Sequence, residues 1–307
     1  MLVTGGSGFL GGHLVDLLLS KGYNITVLDR LVPHTSEVKW IDGDLRWVGD
    51  CDRAVRGVDA VFHLAARISV DESLDYVHEY FNDNILSTLN IIRAAKQHGV
   101  SRFIYTSTCE VYGDVNEGKA DETYPCNPTS PYAASKYAAE RAVLAFGRSY
   151  GLNVTVVRPF NAFGERQKAF RAGSVIPTFI LLALQGKTLT VHGDGSQVRD
   201  YVYTKDIAEA HVKVLEGNLP NLTILNVATG NPITIRQIAE KISKRINNAE
   251  IKFVPDPRGE AQLKRSVGDF SKIKRMLDWS PKWGFDEALD RVIDYYKSMN
   301  PRYYSEK

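Results

Sequence analysis

Met1-Leu2-Val3-Thr4 runs straight into Gly5-Gly6-Ser7-Gly8-Phe9-Leu10-Gly11-Gly12, and His13 to Lys21 follows with leucines at helical spacing. An apolar strand, a glycine turn and a helix in that order form a phosphate cradle. Glycines at 5, 8 and 11 allow a tight turn and a close backbone approach to a pyrophosphate, which would sit at the positive N-terminus of the helix. A second strand, Ile25 to Leu28, ends on Asp29, and an acid there can hydrogen-bond both ribose hydroxyls while repelling a 2'-phosphate. That favours NAD over NADP, although Arg30 next door is a residue able to serve a phosphate instead. The expected fold is α/β, a doubly wound parallel Rossmann sheet with a smaller C-terminal substrate lobe.

Outward from this unit, strand and helix keep alternating. Asp42-Gly43-Asp44-Leu45 follows a third apolar stretch, and Asp44, at a strand end over the ligand crevice, is a candidate for the adenine amino group. Ala60-Val61-Phe62-His63-Leu64-Ala65-Ala66 has buried parallel-strand character and ends in small residues where a cofactor must pass closely; His63, inside the run, reads as structural. Asp75 to His98 has apolar residues at helical spacing over a long span, and Phe103 to Thr106 resumes the sheet. That strand leads into Ser107-Thr108-Cys109-Glu110-Val111-Tyr112-Gly113, which puts hydroxyl, thiol and carboxylate at a C-terminal strand end. A Pro-, Asn- and Ser-rich loop, Asp121 to Pro131, then delivers a helix carrying Tyr132 and Lys136. Four residues apart on a helix, phenol and ammonium share one face, and the ammonium favours the phenolate, so a group titrating near ~10 could act as a base near neutral pH.

After the strand Asn153 to Arg158 and Pro159-Phe160-Asn161-Ala162, a soft boundary divides residues 1–162, the cofactor domain, from 163–307, mainly a substrate lobe; a strand at 224–227 is expected to rejoin the first sheet. Val175-Ile176-Pro177 starts a helix, Val191 to Tyr201 reads as a hairpin or loop, and Ile233 to Ile246 and Phe285 to Tyr296 are amphipathic helices. Arg199 and Arg258 are candidate diphosphate ligands, because guanidinium forks match phosphate oxygens.

The 307 residues carry a formal net charge of only +2, with Lys and Arg spread rather than clustered, so no basic stripe suits a nucleic-acid backbone. The cysteines at 51, 109 and 126 are odd in number and scattered, with no CxxC pair and no His cluster, which suits a reduced, cytoplasmic, metal-free protein. No apolar run approaches the ~18 residues of a membrane helix, and the chain opens on a strand rather than a charged then apolar leader.

Taken together, Thr4 to Gly11, Asp29, Asp42-Gly43-Asp44-Leu45, His63-Leu64-Ala65-Ala66, Glu110-Val111-Tyr112-Gly113, Ser130-Pro131-Tyr132 to Lys136, Arg158-Pro159-Phe160-Asn161, and Gly193-Asp194-Gly195 before Arg199-Asp200-Tyr201 resemble the extended short-chain dehydrogenase/reductase superfamily, in particular its NAD-dependent nucleotide-sugar epimerases and dehydratases. The match covers nearly the whole chain. It implies a seven-stranded parallel sheet holding NAD through Gly5, Gly8, Phe9, Leu10, Gly11, Asp29, Arg30, Asp44, Leu45, Leu64, Ala65, Ala66, Thr106, Tyr132 and Lys136. It implies that Tyr132 takes the proton of the sugar C4 hydroxyl, that Lys136 lowers the Tyr132 pKa and holds the nicotinamide ribose, and that Thr108 hydrogen-bonds the C4 oxygen. Asn161, Arg199 and Arg258 match positions that meet the sugar diphosphate, and Val175 and Ile176 lie where the base is often held. Most relatives are homodimers, through a four-helix interface that here would use Asp75 to His98 and Tyr132 to Tyr150.

The resemblance also separates activities. A 4-keto sugar has an acidified C5 proton, and Glu110, two residues past Thr108, is placed to remove it. Relatives that only epimerise C4 usually carry a small or apolar residue there, whereas dehydratases and UDP-glucuronate decarboxylases carry Glu. Cys109 departs from the dTDP-glucose 4,6-dehydratases, which have Asp at that place to protonate the leaving C6 hydroxyl; a thiol of ordinary pKa ~8.5 could donate a proton or simply pack. Locally, Thr-Cys-Glu-Val-Tyr-Gly looks most like the UDP-N-acetylglucosamine 5,6-dehydratase of tunicamycin biosynthesis. The expected function is an NAD-dependent nucleotide-sugar dehydratase on a UDP- or dTDP-hexose, with UDP-hexoses and UDP-N-acetylhexosamines favoured. The alternatives are a UDP-glucose or UDP-N-acetylglucosamine 4-epimerase, then a UDP-glucuronate decarboxylase, and from another class a non-catalytic NAD-binding regulator, which would have no use for Tyr132, Lys136 and Thr108 together.

Overall fold

The computed structural model describes residues 1–170, 174–256 and 263–299, and Arg258 falls outside them. Six short runs, β1 (Leu2–Thr4), β2 (Thr26–Asp29), β3 (Lys39–Asp42), β4 (Ala60–His63), β5 (Arg102–Thr106) and β6 (Val154–Pro159), alternate with helices. The later chain adds β7 (Asn161–Phe163), β8 (Leu189–His192), β9 (Val198–Tyr203), β10 (Thr223–Val227), β11 (Pro232–Thr234), β12 (Ile251–Val254) and β13 (Arg265–Ser266).

Seven strands form the main sheet in the order β10-β6-β5-β4-β1-β2-β3, every neighbouring pair parallel. β1, β4 and β6 are buried at every residue, as strands covered on both faces must be, and so are largely apolar without a polar-apolar alternation, their polar members Thr4, His63, Thr155 and Arg158 being buried too. Leu14, Val15 and Leu18 of helix Phe9–Ser20 pack with Ile207 and Val214 of helix Thr204–Glu216 on one face. Ala54, Ile91, Ile92 and Val143, from helices Val48–Val55, Ser87–Gln97 and Pro131–Tyr150, cover the other.

The smaller sheets have their own core. β9 lies between β11 and β13 and also pairs with β7, and Phe163, Ile180, Tyr201, Ile242 and Leu289 form a separate cluster with the helices Val175–Leu184, Ile235–Arg245 and Phe285–Ser298. β8 pairs in parallel with β12, not with β9. The expected hairpin is therefore a turn between two sheets: Gly193 and Gly195, at φ 69° and 75°, redirect the chain so that its two strands find different partners.

The long helix expected from Asp75 to His98 is also interrupted. Tyr76 leaves helical geometry between Val70–Asp75 and Val77–Phe81, and Asn82–Leu86 widens into a π-turn before Ser87–Gln97. Asn84 explains the widening, since its buried side chain exchanges hydrogen bonds with the Arg67 main chain at 2.8 and 3.1 Å and donates to Ser135 at 2.9 Å. No helix of the described residues is long and apolar enough to cross a membrane.

Three buried imidazoles are held in their neutral form, and two of them, His63 and His211, tie helices to the sheet. His63 bridges Thr4 and Thr88 at 2.7 and 2.9 Å, and because Thr88 already donates to the Asn84 carbonyl, the ring must donate to Thr88 and accept from Thr4. His211 donates to the Ile207 carbonyl and accepts from Thr106, both at 2.8 Å. His13 donates to the Glu165 carbonyl at 2.9 Å. Burial lowers the three from 6.5 to about 3, 4 and 4. Below their ordinary value the unfolded chain takes up protons that the folded chain refuses, so stability present above pH ~6.5 is lost as pH falls toward 4. Denaturant unfolding measured across that window should lose up to about 4 kcal/mol per pH unit from three protons, and His211→Gln should remove about one proton from the slope. A flat profile contradicts the neutral assignment.

Candidate active site

Successive strands leave β1 toward β3 on one side and run from β4 toward β10 on the other, so a crevice opens beyond the C-terminal ends of β1 and β4. It holds a cavity of about 1220 Å³, larger than a drug-sized pocket and roomy enough for a dinucleotide and a second ligand together.

Glycines shape its floor. Gly5 turns at φ 72°, and a Cβ there would lie 2.8 Å from the Ala65 nitrogen; a Cβ on Gly11 would lie 2.1 Å from the Gly5 carbonyl oxygen. Only bare backbone fits, which leaves the first amides of helix Phe9–Ser20 open to a pyrophosphate. Gly8, Phe9 and Leu10 line the cavity with them, as do Leu64, Ala65 and Ala66 opposite. Asp29 sits at the rim with its oxygens accepting from the amides of Ser7 and Leu31 at 3.1 and 3.0 Å. Asp44 is gripped by Arg46 at 2.6 Å, which holds its carboxyl below the usual range, and the exposed Arg30 lies 3.8 Å away. Leu45 and Thr106 complete this half. The cradle that a Cβ would fill, the open helix N-terminus and the acid at the end of β2 fit NAD.

Helix Pro131–Tyr150 forms the facing wall. It starts sharply because Ser130 accepts from the Ala133 amide at 3.1 Å and Pro131 needs no donor in the first turn. Tyr132 and Lys136 both line the cavity and both are buried. Burial pushes the Tyr132 phenol well above its ordinary range; a hydrogen bond with the Thr108 hydroxyl works against this, and the Glu110 carboxylate adds to it. Burial also lowers Lys136, to about 7. Its ammonium donates to the Thr106 carbonyl at 2.7 Å and lies 4.4 Å over the Tyr105 ring. Both groups are dry, and burial drives each toward its uncharged form.

Thr108, Cys109 and Glu110 enter from the end of β5, where Thr108 caps a short 3₁₀ turn by accepting from the Glu110 amide at 3.2 Å. All three line the cavity. Cys109 packs in the core beside Val111 and Val157 and hydrogen-bonds Ser266, and burial pushes its thiol far above the ordinary range. Across the cavity, Asn161 donates to the Asp200 carbonyl at 3.3 Å, and Val175 faces inward from the start of its helix. Ile176 does not: adjacent helix positions diverge by about 100°, and Ile176 joins Phe179 and Ile180 in the core. Arg199 is buried, donates to the Val198 and Leu263 carbonyls at 2.9 and 2.8 Å, and pairs with no carboxylate among the described residues.

Behind the wall lies a group that the motifs did not single out. Glu140, fully buried, accepts from Ser107 at 2.7 Å and from Arg158 at 3.0 and 2.5 Å. Arg158 also donates to Tyr112, which donates to Asn226. The signal was present, because Glu140 continues the four-residue spacing of Tyr132 and Lys136 along one helix face. Among the described residues no cluster of His, Cys, Asp and Glu is placed to hold a metal ion.

Known proteins with this arrangement fall on both sides of one chemical divide. The chain is 36% identical to the UDP-glucose 4-epimerase of Thermus thermophilus, solved with NAD, over 97% of this chain and 98% of that one, with a TM-score of 0.89. It is 32% identical to a dTDP-glucose 4,6-dehydratase of Streptomyces venezuelae, also solved with NAD, over 97% and 96%, with a TM-score of 0.90. A trifunctional UDP-glucose 4,6-dehydratase, UDP-4-keto-6-deoxy-D-glucose 3,5-epimerase and UDP-4-keto-L-rhamnose-reductase of Arabidopsis thaliana is 34% identical over the whole chain, which spans 48% of that protein's length.

The crowding at Gly11 predicts that Gly11→Ala lowers NAD affinity at least tenfold in calorimetry, about 1.4 kcal/mol. Gly49→Ala, with nothing within 4 Å, should leave it unchanged. The NAD dependent epimerase/dehydratase family matches residues 1–228, and this chain belongs to it.

Proposed function

We propose that the chain is an NAD-dependent nucleotide-sugar dehydratase that removes water across C5 and C6 of a UDP- or dTDP-hexose. The observation that carries this reading is Glu110: a carboxylate on the same cavity wall as Thr108 and Tyr132, close enough to bear on the Tyr132 phenol. A 4-epimerase has no use for a base there. When bound, NAD would supply the hydride acceptor for C4 and, in its oxidised form, a positive charge. Tyr132 takes the C4 hydroxyl proton, with Thr108 holding the oxygen. Glu110 then removes the acidified C5 proton, and the carboxylic acid so formed can hand it to the departing C6 hydroxyl, which leaves as water and regenerates the base; the hydride taken from C4 and the proton held by Tyr132 would then return to the sugar, which restores cofactor and phenol to their starting states. Arg199, buried and tied only to carbonyls, suits the sugar diphosphate, with Asn161 beside it and Val175 against the base.

A 4-epimerase is the second reading, favoured by Cys109, whose buried thiol supplies no acid where the 4,6-dehydratases have Asp. In either case residues 1–162 with β10 form the cofactor half and the remaining residues the substrate half. We further propose a homodimer through Leu74, Tyr76, Val77, Phe81, Leu86 and Leu89, large apolar side chains left exposed on the segments that flank helix Pro131–Tyr150. A cytoplasmic setting suits its three free cysteines.

Purified protein incubated with UDP-glucose, UDP-N-acetylglucosamine and dTDP-glucose in deuterium oxide should yield a product lighter by one water with deuterium at C5 or C6. An isomer of unchanged mass makes the chain an epimerase, and loss of carbon dioxide from UDP-glucuronate makes it a decarboxylase. Glu110→Gln should slow elimination about 10²- to 10⁴-fold while NADH still forms on the enzyme; elimination at the normal rate removes Glu110 from the mechanism.

A further inference from the structure

Glu140 takes no part in the chemistry above, yet it joins the three segments that build the site. Its carboxylate is reached by Ser107 from the end of β5 at 2.7 Å and by Arg158 from β6 at 3.0 and 2.5 Å, and it stands one helical turn beyond Lys136. Ser107 is the residue before Thr108, whose hydroxyl bonds the Tyr132 phenol. Arg158 is the residue before Pro159-Phe160-Asn161, the run that opens onto the cavity. An ion pair with both partners at most 2% exposed is costly to desolvate, and a well-packed apolar pair would serve stability as well or better. The charge points to a use.

The groups that face Lys136 define that use. From β4 comes His63, neutral; from β5 come the Tyr105 ring and the Thr106 carbonyl. Near Tyr132 are Glu110 and the protonated Cys109. Among these groups Glu140 alone raises the proton affinity of Lys136, against a larger loss from burial.

We propose that Glu140 is a positioning residue of this site: through Ser107 it holds the strand end that presents Thr108 to Tyr132, and from one helical turn along the same helix its carboxylate acts on the Lys136 ammonium. This rests on the reading that Tyr132 and Lys136 handle the substrate proton.

The first measurement needs neither cofactor nor substrate. Lys136 is charged in folded and unfolded chains below about 7, and between about 7 and its unfolded value of ~10.4 only the unfolded chain holds the proton. Stability therefore rises with pH across that window, and the rise should vanish in Lys136→Met. In Glu140→Gln the onset of the Lys136-dependent rise should move down by about one pH unit, and Glu140→Asp should restore it. Should Glu140→Gln fail to fold, Glu140→Gln with Arg158→Gln removes acid and base together and should move the onset down by less, because the two lost charges partly cancel at Lys136. An unmoved onset in whichever of these folds overturns the role, however much stability is lost. The second measurement is NADH absorbance formed on the NAD-loaded enzyme with UDP-glucose, dTDP-glucose or UDP-N-acetylglucosamine: its alkaline fall-off should shift down with the onset in Glu140→Gln. Ser107→Ala, which keeps both charges, should lower that rate about fivefold, one hydrogen bond's worth, with the onset unmoved; an unchanged rate overturns the Ser107 link. Tyr132→Phe is the separate control, because normal turnover there overturns the underlying reading and leaves the Glu140 result to stand or fall on the onset alone.

Discussion

Two main chains must pass within contact of each other at the centre of the sheet. Where β1 and β4 part company, a single methyl on Gly5 would collide with the Ala65 backbone, and one on Gly11 would collide with Gly5 itself. The crevice exists because the strand order reverses at this point, and its floor is smooth because nothing projects from the segments that border it. The rest follows from that approach. The helix after the glycines is brought close enough to offer its free amides, β2 ends where its acid meets the rim, and small residues after β4 keep the opposite side open.

The other half of the site is governed by dryness. Phenol, amine and thiol are all shifted by burial in the direction that disfavours charge, as are three imidazoles that do not line the cavity. Charge survives there only where geometry compensates it, as in the forked contact between Arg158 and Glu140. In such surroundings an added or removed charge acts strongly on its neighbours, which suits a site that must move a proton and a hydride in step.

The substrate side is pinned by an aspartate that faces away from it. Asp200 accepts from the amides of Thr229, Gly230 and Gly268 at 3.0, 2.8 and 3.2 Å, and from the Thr229 hydroxyl. Burial raises its carboxyl, and these donors offset the cost. Because neighbours in a strand point to opposite faces, fixing Asp200 on one side of β9 aims Arg199 at the cavity from the other. A local knot thus becomes the placement of a cation at distance from the cofactor loop.

Much was legible in the linear chain because it is local. A strand, three spaced glycines and a helix decide a βα turn within some twenty residues, an acid after the next apolar run marks the ribose, and a four-residue interval puts Tyr132 and Lys136 on one face. The seven-stranded parallel sheet follows from repetition of that unit, and β10 joins it against β6. The interruption at Tyr76 and Asn84, the separation of β8 from β9, the turn of Ile176 into the core and away from the cavity, and the burial of Cys109 were decided by partners distant in sequence: Arg67 and Ser135 for Asn84, β12 for β8, Ser266 for the thiol. The state of Tyr132 and Lys136 belongs with these. Spacing puts phenol and amine on one helix face, but how strongly each holds its proton depends on water excluded by the packed strands and, for Lys136, on Glu140, whose own charge is balanced by an arginine from another strand. Periodicity is a property of the chain, whereas solvation and counter-charge exist only once the chain has folded.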